Sequence, residues 1–480
     1  MDIIGSKYCL LALVPLVYFL VKLWRAAWSF GSGSHGLRLP PSPWQLPVIG
    51  SLHHLRGSLP HRALRDLSLR HGSLMFLKFG EIPVVVASTP DAAKELMKTH
   101  DAIFSTRPIS ATMRIITKNG LGIAWAPCGD QWWQLRKICV MELLSAKCVQ
   151  SLRPAPNASV HAIMGRRFKD DRDTFLHFVD EGVRLAGGSS PTDLFPSSLL
   201  VRVLSWKARK ATEAYGKSLF TFMDGVVREH LAERSSSSLE EVEDRQENLI
   251  DVLLRIQQQG KFPLTMRTIQ AVLFDLIGGG IKTATTTLQW AMAELMRNPA
   301  IMSKAQAEVR RVFSPINKVT EDRLSELPYL QLIIKETLRL HVPGPLLIPR
   351  ECQDQCRILG YDVPKGTMVL VNAWAISRNP DYWEDPDTFN PERFQGNERD
   401  FKGNDFDLIP FGAGRRICPG MAFGIANIEL GLANLLFYFD WSLPEGTIPR
   451  QLDMTETMGI TARRKADLFL SATPCVPLPI

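Results

Sequence analysis

Near the C-terminal end, Phe411-Gly412-Ala413-Gly414-Arg415-Arg416-Ile417-Cys418-Pro419-Gly420 places one cysteine among glycines and arginines. A thiolate at Cys418 is able to ligate iron and push electron density toward it, which favours cleavage of an O–O bond. Each neighbour has a task if a haem lies above that sulfur. Gly414 and Gly420 let backbone pass close to the macrocycle in conformations that side chains forbid. Phe411 shields the sulfur, and backbone N–H groups of the turn hydrogen-bond it. Arg416 neutralises a propionate. Five fixed residues, at about 5% usage each, give roughly one chance match in ten thousand chains of this length. A merely structural glycine turn around a buried cysteine is therefore a poor account.

Other spacings carry chemistry too. Glu336-Thr337-Leu338-Arg339 puts an acid and a base at i, i+3, on one helical face. Alone, such a pair is usually solvated. Pro391-Glu392-Arg393-Phe394 supplies a further arginine, Trp132 and Arg136 stand at i, i+4, and Arg350 follows Pro349. Gly278-Gly279-Gly280-Ile281-Lys282-Thr283 sets a hydroxyl after three glycines that weaken a helix and permit a local opening.

Together these motifs resemble the cytochrome P450 superfamily, in detail its plant microsomal group active in specialised metabolism. The resemblance runs from the N-terminus to near the C-terminus. It implies a mainly α fold with a small β portion, and Cys418 as axial ligand of a haem b iron. It implies propionate contacts from Trp132, Arg136, Arg350 and Arg416, and a buried structural charge cluster of Glu336, Arg339 and Arg393. The implied activity is a monooxygenase that oxidises a lipophilic small molecule with O2. Its electrons come from NADPH through a separate NADPH–cytochrome P450 reductase, for which Lys137, Lys147 and Arg415 offer a basic face.

Two departures stand out. Where the pattern has an acid before the threonine to relay protons, this chain has Lys282, a donor without an acceptor lone pair while charged. Either Lys282 points away and Thr283 with water suffices, or the relay is impaired. Relatives also carry roughly 30 more residues, the scale of two ordinary helices, between Arg136 and Gly165. This leaves two other readings open: a P450-fold lyase or isomerase, and a catalytically impaired copy or aberrant transcript.

The elements that must position these residues are mostly helical. Apolar periodicity predicts helices over Asp91–His100, Leu249–Gln258 and Tyr329–Leu340, and strands over Leu74–Phe79, Val84–Ala87 and Met368–Val371. The Ser235–Ser238 run, followed by acidic residues, reads as an exposed connection. No repeat or second linker appears, so residues 51–480 are expected to form one haem domain.

The N-terminus is apolar from Ile3 to Val21, close to the ~20 residues that span a bilayer. Lys22 and Arg25, beside Trp24 and Trp28, favour an uncleaved anchor over residues 1–25 with the body in the cytosol, as for a single-pass endoplasmic reticulum protein. A cleaved signal peptide is the competing reading. Residues 26–50 read as a flexible, then proline-rich hinge. The 480 residues are 45% hydrophobic with a net charge of +7. Without a long Lys/Arg block or a nucleic-acid motif, that charge points to a membrane or an acidic partner and not to nucleic acid.

Overall fold

The computed structural model describes residues 36–144, 168–187, 190–236, 249–260 and 262–477. The expected anchor, the first part of the expected hinge, and the shortened stretch from residue 145 onward lie outside the described residues.

Fourteen α-helices are present among the described residues. They are α1 Pro60–His71, α2 Pro90–Lys94, α3 Ala111–Ile116, α4 Asp130–Ile138, α5 Phe168–Gly187, α6 Pro191–Leu194 and α7 Leu199–Leu204. Then come α8 Trp206–Ser236, α9 Leu249–Gln258, α10 Met266–Arg297, α11 Pro299–Phe313, α12 Pro328–Leu340, α13 Ala373–Ile376 and α14 Met421–Tyr438. Start signals are local. Proline opens α1, α11 and α12, where its missing N–H costs nothing, and the Thr265 hydroxyl caps α10 by accepting from the Thr268 N–H.

The central element is α10. Its first half packs into an apolar core with α4, α5, α8 and α9, through residues such as Val272, Leu273 and Ile277. Its second half packs into another with α11, α12 and α14, through Ala291 and Leu295. A helix buried on several sides in turn must be apolar around most of its circumference, and α10 is. Among the described residues only α14 is long and apolar enough to cross a membrane. Its contacts with α10, α11 and α12 make it a core helix instead.

The main sheet has four strands in the order β1–β2–β6–β3, formed by β1 Leu74–Phe79, β2 Ile82–Ala87, β3 Arg350–Glu351 and β6 Met368–Val371. β2 runs parallel to β6 with Val84 opposite Met368, whereas β3 is antiparallel to β6. This pairing carries Arg350 into the centre of the molecule. The short ladders β4 Cys356–Ile358 with β5 Tyr361–Val363, β7 Phe439–Ser442 with β10 Ser471–Pro474, and β8 Glu456–Met458 with β9 Ala462–Arg464 complete the β portion.

Three local features sharpen the expectations. The described part of the proline-rich segment lies against the sheet. The Arg38 N–H donates to the Asp362 carboxylate and the Arg38 carbonyl accepts from the Asp362 N–H, the Phe76 N–H donates to the Pro41 carbonyl, and Gly50 bridges to Phe79. Prolines have no N–H to offer, but the intervening residues and carbonyls still pair with the sheet. Helix α8 continues through Ser235 and Ser236, so the expected connection starts no earlier than residue 237, and its remainder lies outside the described residues. The helix expected over Asp91–His100 changes to a π-helical turn at Glu95–Thr99.

Candidate active site

The cysteine turn is built by two glycines in left-handed conformations. Gly412 and Gly414 have φ of 71° and 68°, and the Cys418 N–H donates to the Phe411 carbonyl at 3.0 Å. Gly414 earns its place differently from the sequence expectation of space for a macrocycle. A Cβ there would run into the Met97 carbonyl oxygen and come within 2.6 Å of the Asp101 carboxylate, so the glycine lets this turn seat against the π-helical turn. Gly414→Ala is expected to cost about 2 kcal/mol or more, combining positive φ with that overlap. A thermal-unfolding shift of the purified protein measures it. Gly420 has an ordinary φ of −94°, and a Cβ there would meet only Leu144 at 3.8 Å. Its N–H hydrogen-bonds the Cys418 sulfur. Burial pushes the Cys418 thiol up, opposed by that N–H and by the Arg136 guanidinium. The Phe411 ring packs against Phe401 at 5.4 Å between centroids.

Four guanidiniums converge on this turn. Arg416 donates through Nε to the Ser105 carbonyl at 2.5 Å and through Nη2 to that of Ala126 at 2.6 Å, with its plane over the Trp132 ring. Arg136 donates to the Ile417 carbonyl at 2.8 Å. Arg350 donates to the Ala413 carbonyl at 2.7 Å and pairs with Asp101 at 3.1 Å. Arg107, which no sequence motif flagged, donates to the carbonyls of Ile348 and Pro349. The Trp132 indole N–H donates to the Ile123 carbonyl at 3.1 Å. Burial lowers the proton affinity of all four arginines, for Arg416 to about 10. Mutual repulsion deepens the effect at Arg107 and Arg416. Arginine stays charged regardless, so among the described residues Asp101 is the carboxylate ion-paired within a surplus of buried positive charge.

The second constellation also assembles. Glu336 receives two bonds from Arg339, at 2.7 and 2.9 Å, and one from Arg393 at 3.0 Å. Glu336 and Arg339 are fully buried. Arg339 also donates to the carbonyls of Ser377 and Pro386, both at 2.7 Å. The triad therefore ties α12 to the loops that precede the cysteine turn.

On α10 the glycine stretch does not open the helix, contrary to expectation. The helix is continuous from Met266 to Arg297. The Thr283 hydroxyl donates to the Gly279 carbonyl at 2.6 Å and that of Thr287 to the Thr283 carbonyl at 3.0 Å, so side chains reinforce the weakest turn. A Cβ at Gly278 or Gly279 would meet nothing within 4 Å, whereas at Gly280 it would lie 3.9 Å from Phe423 at the start of α14. The glycines thus present an open face of α10 close to the helix that follows Cys418. Lys282, one turn on from Gly278 and on the same side of α10, forms an ion pair with Asp180 of α5.

The family model described as "Cytochrome P450" matches residues 40–157 and 149–469. The chain belongs to the cytochrome P450 family. Desmethyl-deoxy-podophyllotoxin synthase of Sinopodophyllum hexandrum is 46% identical, covering 96% of this chain and 95% of that one. Premnaspirodiene oxygenase of Hyoscyamus muticus is 44% identical, with 96% of each chain covered. 5-epiaristolochene 1,3-dihydroxylase of Nicotiana tabacum is 43% identical over the same shares. A zebra fish cytochrome P450 solved with progesterone superposes with a TM-score of 0.70 at 24% identity, over 86% of this chain and 99% of that one. This cytochrome P450 is a monooxygenase of plant secondary metabolism, a class that uses haem iron and electrons from a redox-partner reductase.

The donor set fits that cofactor. Four guanidiniums around one cysteine and one carboxylate leave positive charge that two propionates and a thiolate would balance. The two matched blocks meet at residues 149–157, inside the stretch read as shortened. The alignment to the Sinopodophyllum relative spans 493 positions against 480 residues here, so this chain carries gaps within it.

A buried carboxyl was also missed by sequence reading. Asp275 of α10 accepts from the backbone N–H groups of Ile123 and Ala124, the latter at 3.0 Å, while burial pushes it up to about 6. That grip fixes the loop whose Ile123 carbonyl receives Trp132 and Arg416. A lone Asp in an apolar helix gave no signal beyond its unexplained polarity.

Proposed function

We propose that this cytochrome P450 hydroxylates or otherwise oxidises a lipophilic small molecule, with Cys418 as the axial ligand of the haem iron. The surplus of buried guanidinium charge around Cys418 carries this reading. Arg107, Arg136, Arg350 and Arg416 would hold the propionates, and Trp132 orients Arg416 through ring contact at 3.9 Å. When bound, the haem supplies dioxygen activation and insertion of one oxygen atom into the substrate. The chain's own part is positioning. The Gly420 N–H and Arg136 favour the thiolate form of Cys418 against its burial. Thr283 holds a proton at Oγ1, and the open face at Gly278 and Gly279 leaves room for the substrate above it.

The electron donor proposed is NADPH–cytochrome P450 reductase at the endoplasmic reticulum membrane, reached by an N-terminal anchor over residues 1–25. An apolar surface supports the membrane setting. Leu199, Val203, Leu204 and Trp206 are exposed around α7, and Trp44, Leu46 and Ile49 are exposed on the proline-rich segment. The two groups lie on one side of the molecule. Gly80, which bonds to Ile49, packs against Leu194 and Phe195, and Glu81 accepts from Ser197. A patch of this kind suits a lipid surface.

The test is the reduced, CO-bound spectrum of the expressed protein, followed by turnover with and without reductase. The thiolate-type Soret shift and strictly reductase-dependent product are expected. Absence of the shift would refute haem-thiolate ligation. Product formed without reductase would instead establish the lyase or isomerase reading.

A further inference from the structure

Lys282 occupies the position where the family pattern has a carboxylate, and the structure gives it a carboxylate from elsewhere. Asp180 lies on α5, half-exposed, and takes the Lys282 ammonium as its partner. The two helices touch at a second point, where Gly182 of α5 leaves just enough room for the Phe274 ring of α10: a Cβ there would lie 3.0 Å from Cζ. Phe274 and Lys282 stand about two helical turns apart, roughly 12 Å along α10. Between them lie Gly278, Gly279 and Gly280, the first two with open space above them. Asp180 and Gly182 are two residues apart on α5, about 3 Å along its axis, so both contacts hold the same turn of α5 against α10.

We infer that Asp180 and Lys282 form a charge-reversed latch between α5 and α10, with Asp180 as a positioning residue that draws the Lys282 ammonium away from Thr283 and fixes α5 beside the glycine stretch. Neighbouring side chains on a helix point about 100° apart, so a Lys282 directed at α5 is directed away from the Thr283 hydroxyl. The carboxylate absent at position 282 thus has a counterpart on α5, and its half-exposed position leaves it in contact with solvent. This rests on the monooxygenase reading only for its consequence in proton supply; the latch itself is a property of the two helices.

The experiment compares Asp180→Asn, Lys282→Gln and the charge swap Asp180→Lys/Lys282→Asp in the purified full chain. Amide hydrogen exchange is followed across residues 173–187, with α1 as internal control. Each single variant is expected to speed exchange in α5 about two- to five-fold, the range for a partly exposed ion pair. The swap should bring exchange back to within about two-fold of the original, and salt near 1 M should mimic the single variants. The inference is overturned if the single variants exchange like the original, or if the swap is no slower than they are. Exchange needs no turnover, so a missing thiolate spectrum would sink the proposed function while this measurement still decides the latch.

Discussion

Replacing Glu336 by Ala is expected to leave little folded protein. The carboxylate is fully buried and accepts from Arg339 twice, from Arg393, and from the Asn390 N–H at 2.9 Å. Removing it strands the fully buried Arg339 guanidinium and takes the carboxylate partner from the partly buried Arg393. Breaking a buried pair from one side costs about 3–5 kcal/mol, a large part of the roughly 5–15 kcal/mol that holds a typical domain. Arg339 would keep its bonds to the Ser377 and Pro386 carbonyls, which satisfy hydrogens but not charge. Soluble yield and urea unfolding followed by circular dichroism would measure the loss. Glu336→Gln should fall in between, since it restores shape and one acceptor without the negative charge. A denaturation midpoint unchanged in the alanine variant would show that the triad is dispensable for folding.

Cys418→Ser is expected to do the reverse: to spare the fold and remove the chemistry. Serine is close to cysteine in shape, and the turn's geometry rests on the Cys418 N–H to Phe411 bond and on Gly412 and Gly414. The unfolding midpoint should therefore stay within about 1 kcal/mol of the original. The reduced, CO-bound spectrum should lose its thiolate-type shift. Turnover should fall by more than the roughly 10- to 100-fold typical of losing an outer-shell partner, because the proposed ligand itself is gone. A retained shift would move the axial ligand to another residue. The contrast between the two variants separates a residue that holds the scaffold from one that meets the cofactor.

Elements with strong periodicity were legible in the sequence. Leu249–Gln258 folds as the expected helix, and Leu74–Phe79 and Met368–Val371 form the expected strands. Patterns that rely on weak propensities left the tertiary contacts undetermined. The proline-rich segment read as a hinge because proline discourages regular structure. Its carbonyls and neighbouring N–H groups nevertheless dock on the sheet. The triple glycine suggested an opening in α10, but packing on both halves of that helix and the Thr283 hydroxyl keep it whole. Arg107 carried no motif, and only the approach of β3 to the loop after α2 makes it a neighbour of Arg350 and Arg416.

By itself the sequence determined the cysteine turn, the Glu336–Arg339 pair and the family, because these are encoded at short spacings on a single turn or helix face. The tertiary structure alone decided where Lys282 points, what Gly414 makes room for, and how many guanidiniums share the space beside Cys418. Those outcomes depend on partners such as Asp180 and Met97, distant in sequence and brought close only by packing. Spacing fixes which side chains share a turn; the fold fixes which charges must answer one another once water is excluded.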